Sequence, residues 1–142
     1  MTEPGRILGV DYGSVHLGLA MSDPGGAIAF RHGEIRAAGA DADAKALREI
    51  VVRENVSEVV IGLPLHLDGS SSASSRGVEE FAEILRGRVA VPVTLWDERL
   101  TSAEAGGLLR FGGASRATRK KNVHILSAQI LLQSCLDARR RT

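Results

Sequence analysis

The way short apolar runs are joined constrains this chain most. Three of them, Arg6-Ile-Leu-Gly-Val10, His16-Leu-Gly-Leu-Ala-Met-Ser22 and Ala27-Ile-Ala-Phe-Arg-His32, follow one another across Tyr12-Gly13-Ser14 and Asp23-Pro-Gly-Gly26. Gly- and Pro-rich turns between short apolar runs predict an antiparallel meander. The next two runs, Glu58-Val-Val-Ile-Gly62 and residues 91–96, are each preceded by an amphipathic stretch instead. In residues 44–54, Leu47, Ile50 and Val51 share one helical face, with Asp43 placed as a cap; Val78, Phe81, Ala82 and Leu85 line a second helix. A strand reached through a helix pairs in parallel with its predecessor, so the sheet is expected to be mixed, antiparallel on one side and parallel on the other.

Further along, Thr101-Ser-Ala-Glu104 has capping-box spacing and predicts a third helix, and residues 122–139 predict a last one, with Val123, Leu126 and Ile130 packing inward. Between strand and helix, residues 66–75 are small and polar and are read as a flexible connection. The expected order is β-β-β-α-β-α-β-α-α: an α/β fold with a five-stranded mixed sheet and helices on both faces. At 142 residues, with hydrophobic content of 44% and charged content of 25%, the chain is expected to form one domain, residues 1–142, and not a disordered or fibrous segment.

Ligands of open α/β sheets gather beyond the carboxyl ends of the strands. Two acids stand there, Asp11 after the first run and Glu98 after the last, with Asp97 beside Glu98; successive residues of a strand point to opposite faces, so Asp97 and Glu98 are alternatives. Two ionised carboxylates about 4 Å apart repel by roughly 4 kcal/mol at an effective dielectric near 20, a cost that a cation between them removes. Magnesium or manganese suits oxygen ligands and keeps positions open for water and a phosphate, which makes hydrolysis of phosphodiesters the chemistry of choice. A third ligand is sought at the start of the last helix, where His124 stands; it is weighed against a half-buried packing histidine, since it shares a face with Ala128, Leu131 and Cys135. An imidazole there would favour manganese. His16, His32 and His66 are read as turn or surface residues, and Trp96 as core.

Net charge is only +1, but Arg110, Arg116, Arg119, Lys120 and Lys121 crowd one segment and Arg139, Arg140 and Arg141 the tail, a weak pointer to a polyanion. The single Cys135 excludes an internal disulfide and a Cys-rich zinc site, and is read as a small core residue. With no apolar leader at the N-terminus and no run near the ~20 apolar residues that cross a bilayer, a cytoplasmic protein without a membrane partner is expected.

Ile-Leu-Gly-Val-Asp11-Tyr-Gly-Ser-Val-His-Leu-Gly-Leu-Ala-Met-Ser-Asp23, Ile61-Gly-Leu-Pro-Leu-His-Leu-Asp-Gly69, Trp96-Asp-Glu-Arg-Leu-Thr-Ser102 and the stretch from Lys120 to Asp137 together resemble the YqgF/RuvX family, in the right order and over nearly the whole chain. The resemblance implies an RNase H-like fold and a bacterial, cytoplasmic nuclease assigned to 5′-end maturation of pre-16S rRNA. It implies Asp11 as first catalytic acid, Glu98 as second with Asp97 the alternate, and Arg99 near substrate phosphate; Arg119, Lys120 and Lys121 are the further candidates for nucleic-acid contact. The chain departs from the family pattern at His124, where an aspartate is usual, and at His16 and His66, where basic or amide residues are. Pre-rRNA is the expected partner, with branched DNA cut by the same site, or a binding module with weakened catalysis, as alternatives; monomer and homodimer both stay open.

Overall fold

In the computed structural model, residues 5–65, 68–100 and 123–140 are described. The chain runs through β1 (Arg6–Tyr12), β2 (His16–Ser22), β3 (Ala29–Arg36), α1 (Ala40–Arg53), β4 (Val56–Leu63), α2 (Ala73–Arg86), β5 (Val93–Asp97), a 3-10 turn (Glu98–Leu100) and α3 (Val123–Arg140). The expected helix from Thr101, and Arg119, Lys120, Lys121 and His66, lie outside the described residues. The five strands form one sheet in the order β3-β2-β1-β4-β5, antiparallel across β3-β2-β1 and parallel across β1-β4-β5, as the pattern of connections requires.

Strand alternation sorts the core into two layers. Leu8 and Val10 of β1, Leu17 and Leu19 of β2 and Val59 and Ile61 of β4 pack on one face against Leu47 and Val51 of α1 and Phe81 and Leu85 of α2. The opposite face carries small residues, Ala20 and Ala29 with Gly9 between the strands' larger side chains, and receives Ala128, Leu132 and Leu136 of α3. Val60 and half-buried Trp96 meet Leu131 and fully buried Cys135 there, so both residues are core, as read from the sequence. Helices therefore cover both faces.

The glycines of that face set how closely α3 sits. A Cβ on Gly9 would lie 2.8 Å from the Leu132 Cβ, and one on Gly18 would run into the backbone carbonyl of His124. The far end of α3 is tied down by Arg139, whose guanidinium donates to both carboxylate oxygens of Glu58 at 2.8 and 2.7 Å.

Four local expectations need correction. Asp43 does not cap α1: the helix begins earlier, at Ala40, with Gly39 as N-cap at φ 110°, and Asp43 lies inside the first turn, buried, where its Oδ1 accepts the Ala38 N–H at 2.9 Å. Residues 73–75 of the serine-rich stretch belong to α2, which opens with a capping box on its N-cap Ser72: the Ser72 hydroxyl accepts the Ser75 N–H and the Ser75 hydroxyl accepts the Ser72 N–H. Val123, the first residue of α3, is exposed rather than packed inward. β3 also extends further than its apolar run, to Arg36, across a register shift beside Gly33 at φ 95°.

Candidate active site

β1, β4 and β5 all end on one edge of the sheet, where the antiparallel β2 begins. Asp11 follows Val10, which points at α1 and α2, so the Asp11 side chain emerges on the α3 face, beside Gly18 of β2. His124, in the first turn of α3, comes down over the same edge and sets its Nδ1 3.1 Å from Asp11 Oδ2. An ionised carboxylate only accepts, so the tautomer that satisfies this contact carries its proton on Nδ1 and leaves Nε2 as the ring's remaining polar atom.

Glu98 reaches the same place from two strands away. β5 ends at Asp97, the chain turns, and the Glu98 side chain is thrown back across β4 at Gly62, whose missing side chain leaves the space: its Oε1 occupies the position a Gly62 Cβ would need, and its Cγ lies 3.1 Å from it. Gly62 follows Ile61, the register partner of Val10, so this notch sits directly beside Asp11. Burial, then the negative charge of Asp11, then that of Asp97 push the Glu98 carboxyl above its ordinary value, and no hydrogen bond among the described residues offsets them.

Asp97 is committed elsewhere. Its two oxygens accept from Arg99, Oδ1 from the backbone N–H at 2.9 Å and from Nε at 3.1 Å, Oδ2 from Nη2 at 2.6 Å, and this partner holds its carboxyl below the usual range. The Arg99 guanidinium also lies over Gly69, 3.3 Å from where a Cβ would stand, within the field of Asp68. The structure thus separates the two neighbouring acids, Glu98 towards Asp11 and Asp97 towards Arg99.

His16, read from the sequence as turn or surface, belongs to this edge. Its ring centroid is 6.2 Å from that of His124, and it shares the α3 face with Gly18 two residues on. Period-two alternation from Gly18 was the available signal; what the sequence lacked was the face that α3 covers. His32, by contrast, sits on β3 with Nε2 2.6 Å from Glu54 Oε2, a structural pair at the end of α1.

Among the described residues, no three His, Cys, Asp or Glu side chains are close enough together to hold a metal ion as they stand. The donor chemistry nevertheless fits one: Asp11 and Glu98 are paired oxygen donors, Glu98 lacks a compensating hydrogen bond among the described residues, and hard divalent ions bind through one or two carboxylates while keeping several waters. A stability consequence follows without any ion. Because the folded state raises the Glu98 value above its unfolded one, the folded protein is penalised above that range, and the penalty fades as pH falls below the unfolded value. Glu98→Gln in EDTA should therefore melt higher than the parent at pH 7, by about one or two degrees given the partial exposure of the group, and match it near pH 4. Calorimetry at the two pH values checks this; a lower melting temperature at pH 7 would mean that the carboxylate is not repelled there.

Comparison with known proteins identifies the family and the fold. A relative from Koribacter versatilis, named "Putative pre-16S rRNA nuclease", is 41% identical over 98% of this chain and 94% of its own length. One of the same name from Caldanaerobacter subterraneus is 41% identical over 96% of this chain and 99% of its own. Among solved structures, Thermus thermophilus RuvC in complex with Holliday junction substrate superimposes with a TM-score of 0.67 over 97% of both chains at 17% identity, which identifies the fold as RNase H-like. Among the described residues no helix is long and apolar enough to cross a membrane. The pattern of the family described as "RuvX: Holliday junction resolvase" matches residues 5–138, and on that match together with the relatives' identity this chain belongs to the RuvX family.

Proposed function

We propose that the chain, as a single RNase H-like domain, is a divalent-metal-dependent nuclease of the cytoplasm that hydrolyses phosphodiester bonds in structured RNA, with 5′-end maturation of pre-16S rRNA as its task. The observation that carries this reading is the convergence of Asp11 and Glu98 over the Gly62 notch, with the Glu98 carboxyl pushed up by burial and by its neighbour. The names of the relatives supply the RNA.

Asp11 and Glu98 would hold the ion, which supplies an activated water and charge stabilisation for the leaving oxygen. His124 keeps Asp11 oriented through its Nδ1, and its Nε2 is available to join the donor set, which would tilt the preference from magnesium towards manganese. Arg99 is anchored by Asp97 at the rim, and with Arg119, Lys120 and Lys121 is assigned to phosphates of the substrate. Asp97 positions Arg99.

The test is cleavage of labelled pre-16S rRNA fragments and of a four-way DNA junction in manganese, magnesium or EDTA. Cleavage of the RNA that EDTA abolishes is the expected result. Preference for the junction would transfer the same site to branched DNA, the reading that the family's description favours. Salt-sensitive binding with no cleavage under either metal would make the chain a binding module and overturn the nuclease.

A further inference from the structure

The strands that carry Asp11 and the Gly62 notch account for only part of the sheet's upper edge. On the other side of Asp11 the edge continues through the start of β2 and the end of β3, where His16 stands opposite Arg36. Residues directly opposite in an antiparallel pair project from the same face, and the neighbouring pair, Leu17 with Ile35, packs into the α1 and α2 core. His16 and Arg36 therefore both project on the α3 face, the face of Asp11, His124 and Glu98. Across the sheet Asp11 is level with Gly18 and Glu34, so His16 and Arg36 stand one same-face pair beyond Asp11, side by side on the rim, with the acids at one end of this edge and the nitrogen bases at the other.

Among the described residues neither base serves the fold. Among the described residues the His16 ring nitrogens have no hydrogen-bond partner, its neighbour being the His124 ring at 6.2 Å, and exposed Arg36 forms no ion pair. The other charge that this part of β3 places on the same face is Glu34, opposite Gly18 and one step further from the edge. Edge strands carry charge to discourage pairing with other chains, which accounts for a charge on β3 but not for two bases side by side on the rim just beyond the acids.

We propose that His16 and Arg36 form a phosphate track: they bind the backbone phosphates next to the scissile one, on the β2 and β3 side, and so set where along its strand a nucleic acid lies when one phosphate meets Asp11 and Glu98. The proposal rests on the nuclease reading for the identity of the scissile phosphate, but the track itself is a binding site for a single phosphodiester strand. Arg36 supplies the long-range attraction and a forked donor, His16 a hydrogen bond nearer the chemistry. Because both act on phosphates away from the reacting one, they bind ground and transition states alike and govern KM rather than kcat.

Two measurements test this. With Asp11→Asn as the binding form, Arg36→Ala should weaken RNA binding roughly tenfold and lower the slope of log affinity against log salt by about 1, while Arg48→Ala on α1 changes neither. His16→Ala should likewise weaken binding several-fold, His16→Arg should restore it, and both should melt like the parent. In cleaving protein the same changes should raise KM with kcat nearly unchanged.

The decisive arm uses RNA with an uncharged methylphosphonate at single positions beside the cleavage site. At one such position its cost should vanish in the His16→Ala, Arg36→Ala double variant, the coupling that a direct contact requires. Additive costs at every position, an unchanged salt slope, or loss confined to kcat would overturn the track. If the protein binds RNA through these residues yet cuts nothing in any metal, the track stands and the nuclease reading falls; if it cuts with neither residue mattering, the reverse holds.

Discussion

Asp11→Asn is expected to lower phosphodiester cleavage by at least about a thousandfold while leaving the melting temperature and RNA affinity close to those of the parent. The substitution is nearly isosteric, and the amide oxygen can still accept the His124 Nδ1–H now 3.1 Å away, so the packing of α3 on β1 survives. What disappears is one of two negative charges at the edge. Loss of that charge removes the ligand proposed for a divalent ion and relieves Glu98 of its neighbour, but touches no group assigned to substrate phosphate. Single-turnover cleavage in manganese and in magnesium, beside a binding isotherm, separates these terms. Cleavage within tenfold of the parent would remove Asp11 from the site.

Gly62→Ala should be nearly as harmful to cleavage by a different route, through one methyl group. That methyl would occupy the position of Glu98 Oε1 and lie 3.1 Å from the Leu131 Cδ2, so the carboxylate must swing away and a buried leucine must yield. We expect cleavage to fall about a hundredfold, at the scale of losing a preorganised charged group, and stability to fall by about 1–3 kcal/mol through overpacking. Gly77→Ala in α2 is the matched control, since a Cβ there meets nothing within 4 Å; it should be neutral or stabilise by about 0.5–1 kcal/mol. Equal activity in the two variants would show that Glu98 does not need the notch.

The order and pairing of the strands were legible because turn chemistry and helical periodicity are local properties: β2 runs from His16 to Ser22 in the structure as in the pattern, and the parallel half follows from the helical crossovers. Asp11 and Glu98 were legible as acids at strand ends. The choice between Glu98 and Asp97 was open, because it depends on the 3-10 turn that ends β5 and on Arg99 claiming Asp97. His16 was missed for a related reason: its face is set by register with Arg36 and by the close seat of α3 over Gly18, neither visible along one strand. The start of α1 was misplaced because Asp43 has cap chemistry, yet uses it from inside the helix towards Ala38. The opening of α2 was read as loop because its capping box closes with a second serine instead of a glutamate.

His124 and Asp11 meet across 113 positions of sequence, and the close seat of α3 on Gly9 and Gly18 is what brings them together. Synthesis runs from the N-terminus, so both acids leave the ribosome before α3 does. The sheet and its α1 and α2 layer can form on the nascent chain while the other layer is still bare. An emerging chain of this kind would carry both acids but leave Asp11 without its imidazole, and would be poorly able to attack RNA beside it until the last helix had docked. The timing of translation itself would then act as a safety catch for an enzyme that emerges among RNA.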